Sequence, residues 1–90
     1  MPRPGSPDQE LAAAFSAECS AAREHLRRVM ASHGLHEREG WRIGESTRHV
    51  SGRTELVMRP VHRTLAAPPE LECIVSIDEP GSRIESNCPP

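Results

Sequence analysis

Apolar residues recur at intervals of three and four from residue 11 to residue 33, and this spacing predicts one long amphipathic helix. Ser6 can cap the helix, with Pro7 at its first position and Gln9 completing a capping box. Gly34 suits the left-handed residue that ends a helix. We therefore expect a helix from residue 7 to residue 33. Its apolar stripe comprises Leu11, Phe15, Cys19, Ala22, Leu26, Val29, Met30 and His33.

Beyond Gly34 the apolar residues alternate with polar ones, which is typical of strands. Turn-forming pairs such as Ser51-Gly52 and Pro80-Gly81 separate four such segments. We expect strands at about 40–50, 54–65, 71–78 and 83–88, the last one weaker than the others. The predicted fold class is α+β, with one long N-terminal helix packed on a three- to four-stranded antiparallel meander sheet.

Two short loops predict the register of the sheet. A two-residue loop at Ser51-Gly52 places Val50 opposite Arg53, and a four-residue loop at 79–82 places Cys73 opposite Cys88. Pro60 interrupts the second strand and cannot donate to a ladder, so we expect a bulge or a break there.

This register separates the two faces of the sheet. One face is expected to pack under the helix and carries Trp41, Ile43, Leu56 and Met58, with His49 and His62. The opposite face, here named the arginine face, carries Arg42, Arg48, Arg53, Arg59 and Arg63, with Val50, Val57 and Val61 between them.

Ninety residues suffice for a single domain. We place this domain at 7–88, between a Pro- and Gly-rich N-terminal tail at 1–6, expected to be disordered, and a short C-terminal tail at 89–90. With one Trp, one Phe and no Tyr, the core is thin. Because a second chain often completes a thin core, we expect self-association as a homodimer.

No apolar stretch approaches the ~20 residues that span a membrane, and the N-terminus lacks the apolar core of a signal peptide. We therefore expect a cytoplasmic protein that does not contact membranes. Cytoplasmic cysteines are kept reduced, so Cys73 and Cys88 are expected as thiols, with a cross-strand disulfide as the alternative.

All eleven cationic side chains are Arg, although the chain as a whole carries a net charge of −2. Guanidinium groups on the arginine face could bind phosphate in a bidentate manner. Alternatively, Glu72 and Asp78 on the third strand could neutralise Arg59 or Arg63. The sheet has no Tyr or Phe on which bases could stack, which disfavours nucleic acid as the partner.

Other chemistry has little support in the sequence. The histidines and cysteines lack the spacing of a zinc site, and no cofactor motif is present. Glu45 is predicted to point inward near Met58. A carboxylate buried there would have a raised pKa and could act in proton transfer; alternatively it is paired with an Arg or lies at the rim of the sheet.

Residues 26 to 75 resemble in part the HicA-type toxin ribonucleases. The helix, the three-stranded sheet and the catalytic His of that family are similar to Thr47-Arg48-His49 followed by Gly52-Arg53. The resemblance implies a small nuclease in which His49 transfers protons. The Gly-Ser-His motif of the family is missing, and a third strand is predicted here where that fold has a helix.

The absence of catalytic motifs favours a non-enzymatic module for protein–protein interaction or regulation, as among small bacterial or phage regulators. Its expected partner is another protein or a second copy, and no cofactor or metal is expected. The alternative is an RNA- or nucleotide-phosphate-binding protein, including a small nuclease, that uses the arginine face.

Overall fold

The computed structural model describes residues 7–78 and 83–90, and its fold is α+β. It comprises helix α1 (Pro7–Ser32), one turn of 3-10 helix (Glu37–Glu39), and strands β1 (Arg42–Val50), β2 (Arg53–Val61), β3 (Cys73–Asp78) and β4 (Ile84–Asn87). The strands form one antiparallel sheet in the order β1-β2-β3-β4. The predicted helix and meander are confirmed, with α1 ending one residue earlier than expected. The proposed cap Ser6, the 1–6 tail and the 79–82 loop lie outside the described residues.

The hairpin of β1 and β2 has the predicted register. Val50 pairs with Arg53, and Arg48 with Glu55. Ser51 and Gly52 have φ angles of 45° and 73°, so both adopt the left-handed conformation that a tight two-residue hairpin turn requires. This turn assigns the side chains of both strands to the faces expected from the sequence.

Strands β3 and β4 also pair as predicted, and Cys73 and Cys88 are joined by a disulfide across them. Their Cα atoms lie 4.2 Å apart. The expectation of two thiols is therefore wrong, because it depended on the cellular compartment, whereas the register brings the two sulfurs within bonding reach. Cys19 is a free thiol on the core side of α1, and its burial raises its pKa.

No bulge accommodates Pro60, which pairs with Ile43 in an uninterrupted β1–β2 register. The pairing of β2 with β3 ends at Met58 and Cys73. Along a strand, the N–H and C=O groups of successive residues point alternately to the two neighbouring strands. Those of Arg53 point toward β1, because Arg53 pairs with the last residue of β1 at the turn, and the direction alternates from there to Pro60. The nitrogen of Pro60 therefore faces the β3 side, beyond the last pair. The expected bulge is absent because this position needs no N–H donor.

The core lies between α1 and the sheet. Helix α1 packs mainly on β3, and less on β2 and β4. Ile43 and Leu56 are only half-buried, since β1 lies beside the helix rather than under it. Fully buried side chains are those of Leu26, Met58, Leu71, Cys73 and Val75. One face of the sheet is thus covered and the other is open, and β1 forms an edge.

Candidate binding surface

The open face of the sheet carries the predicted arginines, which the structure divides into two groups. Arg48 and Arg53 lie near the turn of the first hairpin. Arg42 and Arg59 lie at the other end of the same strands, and Arg63 follows the end of β2. Arg42 and Arg48 are six residues apart on β1, or about 20 Å at the usual rise per residue of a strand. A single phosphate therefore cannot contact the arginines at both ends of the hairpin.

Arg48 and Arg53 are both paired with the carboxylate of Glu55. The Nε of Arg48 donates to Oε1 of Glu55 at 2.5 Å, and Nη2 of Arg53 lies 3.6 Å from Oε2. Glu55 is only 7% exposed, so this carboxylate is taken out of water and held between two guanidinium groups. At this end of the face the arginines therefore have a carboxylate partner within the sheet, although it is Glu55 and not the Glu72 or Asp78 expected from the sequence, and it compensates one of the two positive charges.

Arg42, Arg59 and Arg63 are exposed, and no carboxylate of the described residues lies within ion-pair distance of them. The pairing expected from Glu72 and Asp78 is not formed in this part of the chain. Arg42 lies opposite Val61, diagonal to Arg59. These three side chains, here named the arginine triad, are the part of the predicted site left open to an external anion.

Two shallow hollows adjoin the arginine triad. Arg42 and Arg63 line one of about 380 Å³, together with Glu39, Gly40 and His62. Arg59 lines the other, of about 340 Å³, whose wall also includes His62 and Glu72. The first hollow is thus lined by two arginines and one carboxylate, and the second by one arginine and one carboxylate.

His62 supports the wall between the hollows. Its Nε2 donates to the carbonyl of Glu39 at 2.8 Å, and its Nδ1 accepts the N–H groups of Thr64 and Leu65 at 3.1 and 3.2 Å. The ring also contacts Trp41, with ring centroids 4.9 Å apart. Both ring nitrogens are engaged, so His62 holds the loop after β2 in place.

His49 lies on the opposite face from the arginine triad, with Nδ1 hydrogen-bonded to Oγ1 of Thr54 at 3.1 Å. It is exposed, so the expectation that the sheet face packs under the helix is wrong at His49, since α1 does not cover β1. The sheet separates His49 from the arginines, and the two do not form one catalytic site.

The chain also departs from the ribonuclease pattern at β3, which is a strand where that family has a helix. Comparison with protein-family models, curated proteins and solved structures gives no significant match. The candidate surface is therefore interpreted from its own geometry.

Within residues 7–78 and 83–90, no group of three or more His, Cys, Asp or Glu side chains is placed to hold a metal ion. No helix in these ranges is both long enough and apolar enough to cross a membrane.

Glu45 is paired with Arg23 of α1. The Nε and Nη2 atoms of Arg23 donate to the two carboxylate oxygens at 2.7 and 3.0 Å. This hydrogen bonding lowers the pKa of Glu45 and raises that of Arg23. The Arg partner and the position at the rim of the sheet are therefore confirmed for Glu45, and the raised pKa is wrong.

The outer edge of β1 is a further surface, which the sequence-based prediction did not single out. β1 has nine residues, pairs only with β2 and is almost entirely exposed. The N–H and C=O groups of Val50 point toward β2, because Val50 pairs with Arg53 at the turn. The residues of β1 at odd-numbered positions therefore point their N–H and C=O groups away from β2, toward solvent. Ile43, Glu45, Thr47 and His49 are the residues that do so.

The opposite edge of the sheet differs from β1. β4 has only four residues and is followed by the disulfide at Cys88 and by Pro89 and Pro90. Short strands and prolines prevent an edge from pairing with another chain. The signal for an open β1 was available in the sequence, since a meander places its first strand at an edge and residues 42–50 contain no proline.

Proposed function

We propose that the protein is a small protein–protein interaction module that self-associates by pairing β1 of one copy with β1 of a second. The observation that carries this proposal is the nine-residue edge with its outward backbone groups at Ile43, Glu45, Thr47 and His49. A long unprotected edge is a ready template for another strand, and pairing satisfies its donors and acceptors.

The sequence of β1 is compatible with pairing to itself. A two-fold axis at Ser46 would place Arg42 opposite Val50, Gly44 opposite Arg48, and Glu45 opposite Thr47. No like charges face each other in this register, and like charges are what destabilise a cross-strand pair. Two four-stranded sheets would then form one continuous sheet with both helices on the same face.

The side of β1 next to α1 also favours a partner. Ile43 and Leu56 are half-buried because the helix does not extend over them. A second β1 would cover part of Ile43 with its own side chains, and removal of apolar area from water contributes about 25 cal/mol per Å². The thin core predicted from the composition fits this need for a second copy.

The substitution Thr47→Glu tests the pairing. Thr47 is exposed, and a glutamate there would face Glu45 of the second copy in the Ser46-centred register. A shift of the axis to Thr47 would instead bring the two introduced glutamates together. We expect the dimer dissociation constant, measured by sedimentation velocity, to rise at least about tenfold, which is ~1.4 kcal/mol.

Thr47→Pro provides an independent variant, because the N–H that it removes points away from β2 and is not needed within the chain. Ser16→Glu, at an exposed position of α1, is the control with the same change in net charge. A wild-type protein that sediments as a monomer at micromolar concentrations would refute the proposal. So would a dimer that Thr47→Glu and Thr47→Pro leave unchanged while circular dichroism shows the fold intact.

A further inference from the structure

We propose that the arginine triad of Arg42, Arg59 and Arg63 binds the phosphate group of a small molecule. This site lies on the open face of the sheet, whereas strand pairing would use the edge of β1. The inference therefore does not depend on the proposed self-association.

The clustering of uncompensated arginines carries the inference. Among the described residues, five arginines have no carboxylate within ion-pair distance, and three of these form the triad. Arg28 on α1 and Arg38 in the 3-10 turn are the other two. Guanidinium groups that lie close together without a carboxylate repel one another. An anion bound between them offsets this repulsion.

The register of β1 and β2 brings Arg42 and Arg59 near each other, and Arg63 lines the same hollow as Arg42. Arg42 and Arg59 occupy diagonal positions on the same face, where Cβ atoms are usually about 7–8 Å apart. Guanidinium groups on long stems can turn toward a common point, and their forked donors match two oxygens of a phosphate.

The surroundings favour a small phosphate over a nucleic acid. The 380 Å³ hollow lies within the range of about 300–1,000 Å³ that is usual for small-molecule sites. Trp41 is buried, and the sheet face offers no aromatic side chain on which a base could stack. Glu39 and Glu72, one in each hollow, would repel a phosphate chain that ran past the triad.

Titration with inorganic phosphate, and then with pyrophosphate, tests the site by NMR. Sodium chloride keeps the ionic strength constant, so general screening does not contribute. We expect the Nε–Hε signals of Arg42, Arg59 and Arg63 to move saturably. The signal of Arg48, which Glu55 already holds, serves as the internal reference. No movement, or equal movement of all arginine signals, would overturn the proposal.

Variants locate the binding. Arg42→Gln and Arg63→Gln should each weaken pyrophosphate binding at least about tenfold, whereas Arg28→Gln, with the same change in net charge, should leave it unchanged. Equal weakening by all three variants would indicate general electrostatic attraction and refute the site.

A single-stranded RNA oligonucleotide, compared at equal phosphate concentration, separates the two sources of phosphate. RNA that binds far more tightly than pyrophosphate, with a steep dependence on salt, would refute the small-molecule assignment. The same titration on Thr47→Glu separates this proposal from the first, because the triad should bind phosphate whether or not β1 pairs.

Discussion

The carboxylate of Glu45 is held by two nitrogens of Arg23, and this pair joins α1 to the strand that the helix does not cover. The side chains are 32% and 36% exposed, so water screens their attraction. The contribution to stability is therefore that of a surface pair, about 0.2–1 kcal/mol. The pair nevertheless links α1 to β1, and so restrains the position of β1 relative to the helix.

We expect Glu45→Gln to make stability less dependent on acid. The folded-state pKa of Glu45 is lowered, so the pair contributes stability above the unfolded pKa, about 4.3, and loses it as the pH falls through the folded value. Urea unfolding at neutral pH should show the variant less stable by about 0.5 kcal/mol. The difference should disappear once the pH is below both values.

Glu24→Gln is the matched control, because Glu24 pairs with Arg27 within α1 and both side chains are more than half exposed. Its effect at neutral pH should be smaller. If the loss caused by Glu45→Gln were the same at neutral and acidic pH, the pair would not be its source.

His62→Ala should lower the free energy of unfolding by about 2 kcal/mol, because two backbone N–H groups and one carbonyl lose their partner. The imidazole also contacts Trp41, and Gly40 leaves room for it: a Cβ built at Gly40 would lie 3.0 Å from Nε2. Urea unfolding measures the change. His36→Ala is the control, since the side chain of His36 makes no capping hydrogen bond. Equal stabilities of the two variants would contradict the structural role of His62.

Sequence could predict residue positions on the sheet but not all of their partners. The two-residue turn at Ser51-Gly52 gave the pairing of Arg48 with Glu55, because cross-strand neighbours follow from register. The exposure of His49 depends on how much of the sheet α1 covers. Whether Arg59 is paired depends on where the side chain of Glu72 lies in the folded protein. The spacing of residues along one segment specifies neither of these tertiary features.

At the scale of elements, Pro60 shows where prediction from the sequence ends. The strand around it was recognisable from alternation, and a proline in a central strand normally indicates a bulge. Only the lengths of neighbouring strands reveal that β3 stops pairing at Met58. Strand ends are set by tertiary contacts, so the consequence of a proline cannot be derived from its own segment.

The disulfide between Cys73 and Cys88 ties β4 to the sheet, and thiol counting tests it. Ellman's reagent should detect almost no thiol in the native protein, because Cys19 is buried with a raised pKa. After unfolding without reductant it should detect one thiol, and after reduction all three cysteines.

Loss of the disulfide should destabilise the fold. Reduction, or Cys88→Ser, releases a constraint on a loop whose ends are 15 residues apart, which corresponds to about 3 kcal/mol in the chain-entropy model. Cys19→Ser is the control that leaves the disulfide intact. Three reactive thiols in the unfolded, unreduced protein would contradict the bond and favour the reduced pair expected of a cytoplasmic chain.

At the scale of the whole molecule, one helix covers one face of the sheet and leaves the other face and the β1 edge to solvent. The two proposals use these two uncovered surfaces separately. The α+β class was predictable because the period changes from helical to alternating after Gly34, and the turns define a meander. That β1 is an edge follows from the meander, whereas the lack of helix cover over β1 depends on the placement of α1, which no local pattern specifies.

The order of the strands has a consequence for synthesis on the ribosome. Each strand pairs with its neighbour in the chain, so the sheet closes only short loops as it forms. Helix α1 instead packs mainly on β3: Cys73 Sγ contacts the carbonyl of Ala22, 51 positions earlier. The helix is made first, at about 5–20 residues per second, and its apolar stripe lacks its main partner until β3 has emerged. Nascent chains are therefore most open to chaperones and to aggregation during this interval.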